Sequence, residues 1–278
     1  MTSEGTPSHS LQIRGRTVPR LGLGTWQLTG DECVDAVTDA LDIGYRHIDT
    51  ARAYGNEREV GAGVKRSGVA REDVFLTTKI WMDDFEPQRL RRAAGDSLRE
   101  LDTDYVDLLL LHWPNPGVPL QDSLSALSEL RERGLTREIG VSNFPPKLLR
   151  EAVALAAVFC DQVEYHPYLG QDDLLQIAGE ADVMITAYAP LAHGKIFGDP
   201  TLSVIAERHN TGVGQVALAW LLAQPHVCVV PKAASHRNRV SNFQALGLKL
   251  TPEDRQAIDA LPKDRREFDP AWAPDWND

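Results

Sequence analysis

Gly44–Glu57 reads GYRHIDTARAYGNE. Within it Tyr45, His47 and Asp49 alternate with Arg46, Ile48 and Thr50, which is the period of a strand, so His47 and Asp49 project from one face. Gly55-Asn56 is a turn signal, and Glu57 opens a helix-like run. An ionisable residue therefore stands where a strand ends, with Tyr54 on the loop that follows. In a barrel of parallel strands, that is the end at which chemistry is done.

Outward from this segment the same unit recurs: a short apolar strand, a loop, an amphipathic helix. The strands read as Leu21–Gly24, Arg46–Asp49, Val74–Lys79, Tyr105–His112, Glu138–Ser142, Asp161–Glu164, Met184–Ala187 and Val227–Val230. Helices fill the gaps, as in Asp31–Ile43, where Val34, Val37 and Leu41 share a face, and Pro87–Leu101, where Leu90, Leu98 and Leu101 do. Further helices are expected over Asp122–Arg133, Pro146–Ala157, Pro200–His209, Val213–Ala223, His236–Leu246 and from Thr251 to Leu261. Alternating strands and helices predict a parallel sheet. Eight such units without linker composition predict a single (β/α)8 TIM barrel over 11–278, with extra C-terminal helices. Leu11–Arg14, Gly15-Arg16 and Thr17–Pro19 read as an N-terminal β-hairpin lid, and residues 1–10 as a disordered lead.

Composition narrows the class. The net charge of −11 in 278 residues comes from scattered acidic residues, which disfavours nucleic acid or an anionic membrane as the main partner. Cys33, Cys160 and Cys228 are few and form no CxxC pair, which fits a reducing compartment. The polar start MTSEGTPSHS lacks a signal-peptide core, and no apolar run is long enough to span a bilayer. A cytoplasmic monomer acting on a small molecule is expected.

Asp49 closes the second strand, Lys79 the third and His112 the fourth, while Tyr54 follows the second. Parallel strands bring all four to one mouth. A phenol of ordinary pKa is a feeble acid near neutrality. An adjacent Lys79 ammonium is expected to lower the Tyr54 pKa, with Asp49 keeping that buried lysine charged. His112 is placed to orient a carbonyl. The set describes proton donation to a carbonyl oxygen as charge develops on it.

The chain resembles the aldo-keto reductases. The likeness is carried by LGLGTW (21–26), GYRHIDTARAYGNE (44–57), TTKIW (77–81), LLLHWP (109–114), REIGVSNF (137–144), QVEYHP (162–167) and VPK (230–232). LDTDYVDLLLLHWP, GLTREIGVSNF and APDWND are most similar to the bacterial 2,5-diketo-D-gluconate reductases of B type, which also reduce methylglyoxal. The resemblance implies a catalytic tetrad of Asp49, Tyr54, Lys79 and His112 and NADPH as coenzyme. It implies that Ser142, Asn143 and Gln162 hold the carboxamide and that Tyr188 stacks on the nicotinamide. Thr25 and Trp26 would line the far side, with Leu191 and Asn242 among the other coenzyme contacts.

Lys232, Ser235, His236 and Arg237 cluster after the eighth strand, where barrels commonly bind phosphate, and a 2′-phosphate favours Lys or Arg. The chain departs from its relatives there: Ala233, Asn238 and Ser241 stand where they carry Ser, Arg and Glu, leaving Arg237 or Arg239 to take the arginine's part. Gly22-x-Gly24 and Gly61-x-Gly63 lack the third glycine of a dinucleotide fingerprint, so the nicotinamide assignment rests on the resemblance and the basic cluster. Trp26, Trp81 and Trp113 follow strands and are expected, with His112, to wall the substrate pocket. Trp272 and Trp276 are expected on a tail over the mouth, and Lys263–Glu267 as a solvated face. Short loops at Asn115–Leu120 and Leu191–Asp199 suit small polar carbonyls, bound after the coenzyme. Two other classes compete: a metal-dependent barrel hydrolase, suggested by His47-x-Asp49, and a non-catalytic NADPH-binding regulatory protein. No metal ligand set is assigned.

Overall fold

The computed structural model describes residues 9–276. Two strands, β1 (Ser10–Ile13) and β2 (Arg16–Pro19), form an antiparallel hairpin through Arg14-Gly15. Most of the expected disordered lead lies outside the described residues, and its boundary moves: Ser10 already pairs with Pro19.

Eight parallel strands follow: β3 (Leu23–Gly24), β4 (His47–Asp49), β5 (Phe75–Ile80), β6 (Val106–Leu111), β7 (Thr136–Ser142), β8 (Val158–Glu164), β9 (Met184–Tyr188) and β10 (Val227–Val229). Each pairs with its neighbour in chain order. The ring closes where Gly22 N–H donates to Val229 O at 2.8 Å and Gly24 N–H to Pro231 O at 3.2 Å. This is a (β/α)8 barrel, as read from the alternation.

The surrounding helices are α1 (Gly30–Ile43), α2 (Glu57–Ser67), α3 (Pro87–Glu100), α4 (Leu120–Glu132), α5 (Pro146–Leu155), α6 (Asp172–Ala181), α7 (Pro200–Arg208), α8 (Val213–Leu222), α9 (His236–Gln244) and α10 (Pro252–Asp259). Local chemistry sets several ends. Pro opens α3, α5, α7 and α10 at the first turn, and Thr251 and Asp254 form a capping box on α10. The helices bury Val37, Leu41, Leu90, Leu127, Leu149 and Ile177 against the outward strand residues.

Inward residues stack in layers. At the N-terminal end Phe75, Leu108, Leu110, Phe159, Cys160, Met184 and Cys228 pack together, and Ile13 and Val18 of the hairpin plug this layer from below. His47 sits here as well, its ring 3.3 Å from Thr77 Oγ1 and 3.3 Å from Pro19 O. At the other end the inward positions are Asp49, Lys79, Gln162 and Tyr188. The same period-two alternation thus makes an apolar floor and a polar mouth. β7 shifts register against β8 between Ile139 and Gly140, and a Cβ at Gly140 would stand 2.4 Å from Cys160 O. Only glycine allows the strands this close.

Candidate active site

Tyr54 is held by the residues around it. Arg52–Tyr54 form a 3-10 turn that ends at Gly55 in the left-handed region, φ 65°. Asn56 is fully buried, accepts the Thr50 hydroxyl at 2.8 Å and donates to Thr25 O and Leu28 O, each at 2.9 Å. Glu57, also buried, accepts from Thr78 at 2.5 Å and Ser97 at 3.0 Å. The loop bearing the phenol is therefore fixed from both sides by satisfied buried groups.

At the mouth, Lys79 is wholly buried. Its Nζ donates to Asp49 Oδ1 at 2.7 Å, to Thr50 O at 2.8 Å and to Tyr54 Oη at 3.2 Å. The second Asp49 oxygen accepts from Gln162 Nε2 at 2.7 Å. The His112 ring lies 5.7 Å from the Tyr54 ring and 5.3 Å from Trp81, nearly perpendicular to each. Above these groups opens a cleft of about 450 Å³ that runs outward to Lys232 and is walled by Trp26, Trp81, Trp113 and Phe268. Gln27, Asn143, Ala189 and His193 line it with positive φ.

The Aldo/keto reductase family model matches residues 20–263. The chain belongs to the aldo/keto reductase family. It is 40% identical over 266 residues to methylglyoxal reductase DkgB of Escherichia coli O157:H7, covering 94% of this chain and 99% of that protein. It is 39% identical over 255 residues to the glyoxal reductase of Bacillus subtilis (strain 168), covering 91% and 92%. A solved structure provisionally named 2,5-diketo-D-gluconic acid reductase B superposes with a TM-score of 0.94 at 41% identity, covering 96% of each chain. Members of the family generally use a nicotinamide coenzyme, and this chain is an oxidoreductase acting on carbonyls. No helix among the described residues is long and apolar enough to cross a membrane.

The metal-hydrolase reading of His47-x-Asp49 fails on donor chemistry. The Asp49 carboxylate is already taken by an ammonium and an amide. His47 faces Pro19, Thr77 and Cys228 in the floor, and burial pushes its pKa down to about 4. His166 is two residues past β8 and buried, and His193 lines the cleft.

The electrostatics of the reductase's mouth correct one expectation. Burial raises the Tyr54 pKa above its ordinary 10, and the Lys79 ammonium offsets this without reversing it. Removing a phenolate from water costs more here than one ammonium at hydrogen-bond distance returns. Burial alone would discharge Lys79, but Asp49 and Tyr54 outweigh it and raise its pKa. Burial, helped by the Lys79 charge, holds the His112 pKa well below 6.5, so its imidazole is neutral.

Of the residues expected to hold coenzyme, Thr25, Trp26, Ser142, Asn143, Gln162, Tyr188, Leu191 and Lys232 line the cleft. Asn143 donates to His112 O at 3.0 Å and accepts from Tyr188 Oη at 2.7 Å; Ser142 Oγ donates to Gln162 O at 2.8 Å. This row of amide and hydroxyl groups beside one aromatic face suits a carboxamide-bearing ring. Past Lys232 the fit thins. Ser235, Arg237 and Asn242 lie outside the cleft lining, and Ser235 caps α9 by accepting from Asn238 N at 3.2 Å. Arg239 is buried, paired with Asp39 at 2.6 Å and with two backbone carbonyls, so it is not free to replace the missing arginine. Lys232 and Arg237 are exposed and form no ion pair among the described residues.

The tail overturns another expectation. Lys263–Glu267 is only partly a solvated face: Asp264 and Arg265 are exposed, but Lys263 Nζ donates to Pro167 O at 2.7 Å, and Arg266 stacks 3.6 Å above Trp276. Trp272 meets Trp81 and Trp276 meets Trp113, each at 6.1 Å, so the tail does cover the mouth. Phe268, His193, Gln27 and Phe197 line the cleft without having been singled out. Nothing in their local pattern marks them, because tertiary contact alone brings them there.

Proposed function

We propose that the protein is an NADPH-dependent reductase of small polar carbonyls, such as methylglyoxal or 2,5-diketo-D-gluconate, with Tyr54 as general acid, working as a cytoplasmic monomer. The observation that carries this is one ammonium, Lys79, bonded at once to Asp49 and to the Tyr54 hydroxyl beneath an open cleft.

When bound, the reduced nicotinamide supplies a hydride to the carbonyl carbon. Tyr54 gives its proton to the oxygen as charge builds there. The Lys79 ammonium, 3.2 Å away, stabilises the phenolate left behind. Asp49 keeps Lys79 charged through that step. His112, being neutral, has one N–H to donate to the carbonyl oxygen and no second proton to compete with Tyr54. Ser142, Asn143 and Gln162 would hold the carboxamide, Tyr188 the ring face, and Lys232 and Arg237 the 2′-phosphate. Trp26, Trp81 and Trp113 would exclude water above the reacting carbon.

The test is loss of reduced-coenzyme absorbance on adding methylglyoxal to purified protein, with NADPH and NADH in parallel. Oxidation with NADPH, faster than with NADH at equal low concentration, is expected. No oxidation with either coenzyme overturns the assignment.

A further inference from the structure

Glu164 and His166 stand in the motif QVEYHP, and no step above uses them. Both side chains are fully buried. His166 Nδ1 accepts the Tyr168 N–H at 3.3 Å, so Nε2 carries the ring proton and donates it to Glu164 Oε1 at 2.8 Å. The carboxylate takes two more donors, both from a segment about one hundred residues away in sequence. Glu267 N–H reaches Oε1 at 2.7 Å and Phe268 N–H reaches Oε2 at 2.9 Å.

The approach to this carboxylate is also built. Gly170 N–H donates to Lys263 O at 3.0 Å, and Arg265 N–H to Tyr168 O at 2.9 Å, so the tail runs beside the loop after β8 until it meets Glu164. Arg265 and Lys195 flank the Glu267 side chain, tying the tail to the Leu191–Asp199 loop. The next side chain is Phe268, which lies 5.8 Å from Trp113 and 6.2 Å from Trp26 in the cleft wall. Two consecutive N–H groups on one carboxylate fix the backbone from which that ring projects.

We propose that Glu164 is a positioning residue for substrate recognition: its carboxylate latches the backbone of Glu267 and Phe268 and so sets the Phe268 ring as a wall of the cleft. This rests on the carbonyl-reductase reading for its substrates, but not for the latch. Gln at 164 keeps the shape and replaces one acceptor by an NH₂ that faces N–H donors, which undoes one of the two tail bonds.

Steady-state kinetics with saturating NADPH compare benzaldehyde, whose ring meets the wall, with methylglyoxal, which is too small to need it. For Glu164→Gln, KM for benzaldehyde is expected to rise roughly tenfold, with both kcat values and the methylglyoxal KM within about twofold. Phe268→Ala should reproduce the benzaldehyde rise, and the double variant should add nothing to it. Trypsin should cut after Arg265 and Arg266 faster in Glu164→Gln than in wild type. Equal KM changes for both aldehydes, a shared kcat loss or an unchanged cleavage rate would overturn the proposal. If Glu164→Gln does not fold, Glu164→Asp is read by the same assays. If wild type oxidises neither coenzyme, the reductase reading falls, and the cleavage rates still decide the latch.

Discussion

The ammonium of Lys79, itself wholly buried, lies 2.7 Å from Asp49 and 3.2 Å from the hydroxyl of Tyr54, which lines the open cleft. A buried charge is tolerated only with a partner, and Asp49 is that partner. The proposed acid and its electrostatic support are thus one assembly rather than two neighbouring groups.

Tyr54→Phe removes the transferable proton and leaves the ring. Turnover should fall roughly 10²–10⁴-fold while coenzyme affinity, read by fluorescence titration, stays near wild type. Undiminished turnover would remove Tyr54 from the acid role.

Lys79→Met strands the Asp49 carboxylate in the interior. Beyond the loss of turnover, unfolding in urea should show a cost of about 3–5 kcal/mol. Adding Asp49→Asn should recover part of that stability without restoring turnover. A double variant no more stable than Lys79→Met would contradict the ion pair.

These groups were legible in the sequence for a simple reason. Period-two alternation fixes which strand residues point inward, and parallel strands fix which end they reach, so Asp49, Lys79 and His112 could be assembled without coordinates. Quantities set by the whole fold could not. The Tyr54 pKa turns on how much protein surrounds the phenol, which no local pattern records. Arg239 looks like Arg237 in sequence, but Asp39, two hundred residues earlier, claims it. Lys263 and Glu267 looked solvated because their partners, Pro167 and Lys195, are distant in the chain.

The buried imidazoles predict how stability follows pH. His47 titrates at about 4 in the fold against 6.5 when free, so between those values the unfolded chain binds the extra proton. This contribution is fully present above pH 6.5 and is lost as pH falls toward 4, about 3 kcal/mol in all. His112 acts in the same direction. Urea unfolding from pH 7 to 4.5 should show the decline, and a shallower one in His47→Gln.

Lys232→Ala should raise the dissociation constant for NADPH more than that for NADH, by roughly tenfold if one charge-assisted phosphate contact is lost. Arg237→Ala is expected to act in the same sense. Equal losses for both coenzymes would place neither residue at the 2′-phosphate.

Gly140→Ala places a methyl group 2.4 Å from Cys160 O and 2.7 Å from Leu110 Cδ2. Neither is free to retreat, and a cost of about 1–3 kcal/mol in thermal or urea unfolding is expected. Since Cys160 is two residues before Gln162, the Gln162–Asp49 hydrogen bond should be disturbed with it.

The hairpin that seals the lower end gives the barrel a floor but no back door. Ile13 and Val18 occupy the space through which anything might drain. Among the described residues, traffic therefore passes in both directions through one doorway, and molecules sharing the chamber must queue. Whichever partner lies deepest is the first to enter and the last to go, and a visitor that lingers near the threshold holds its predecessor inside.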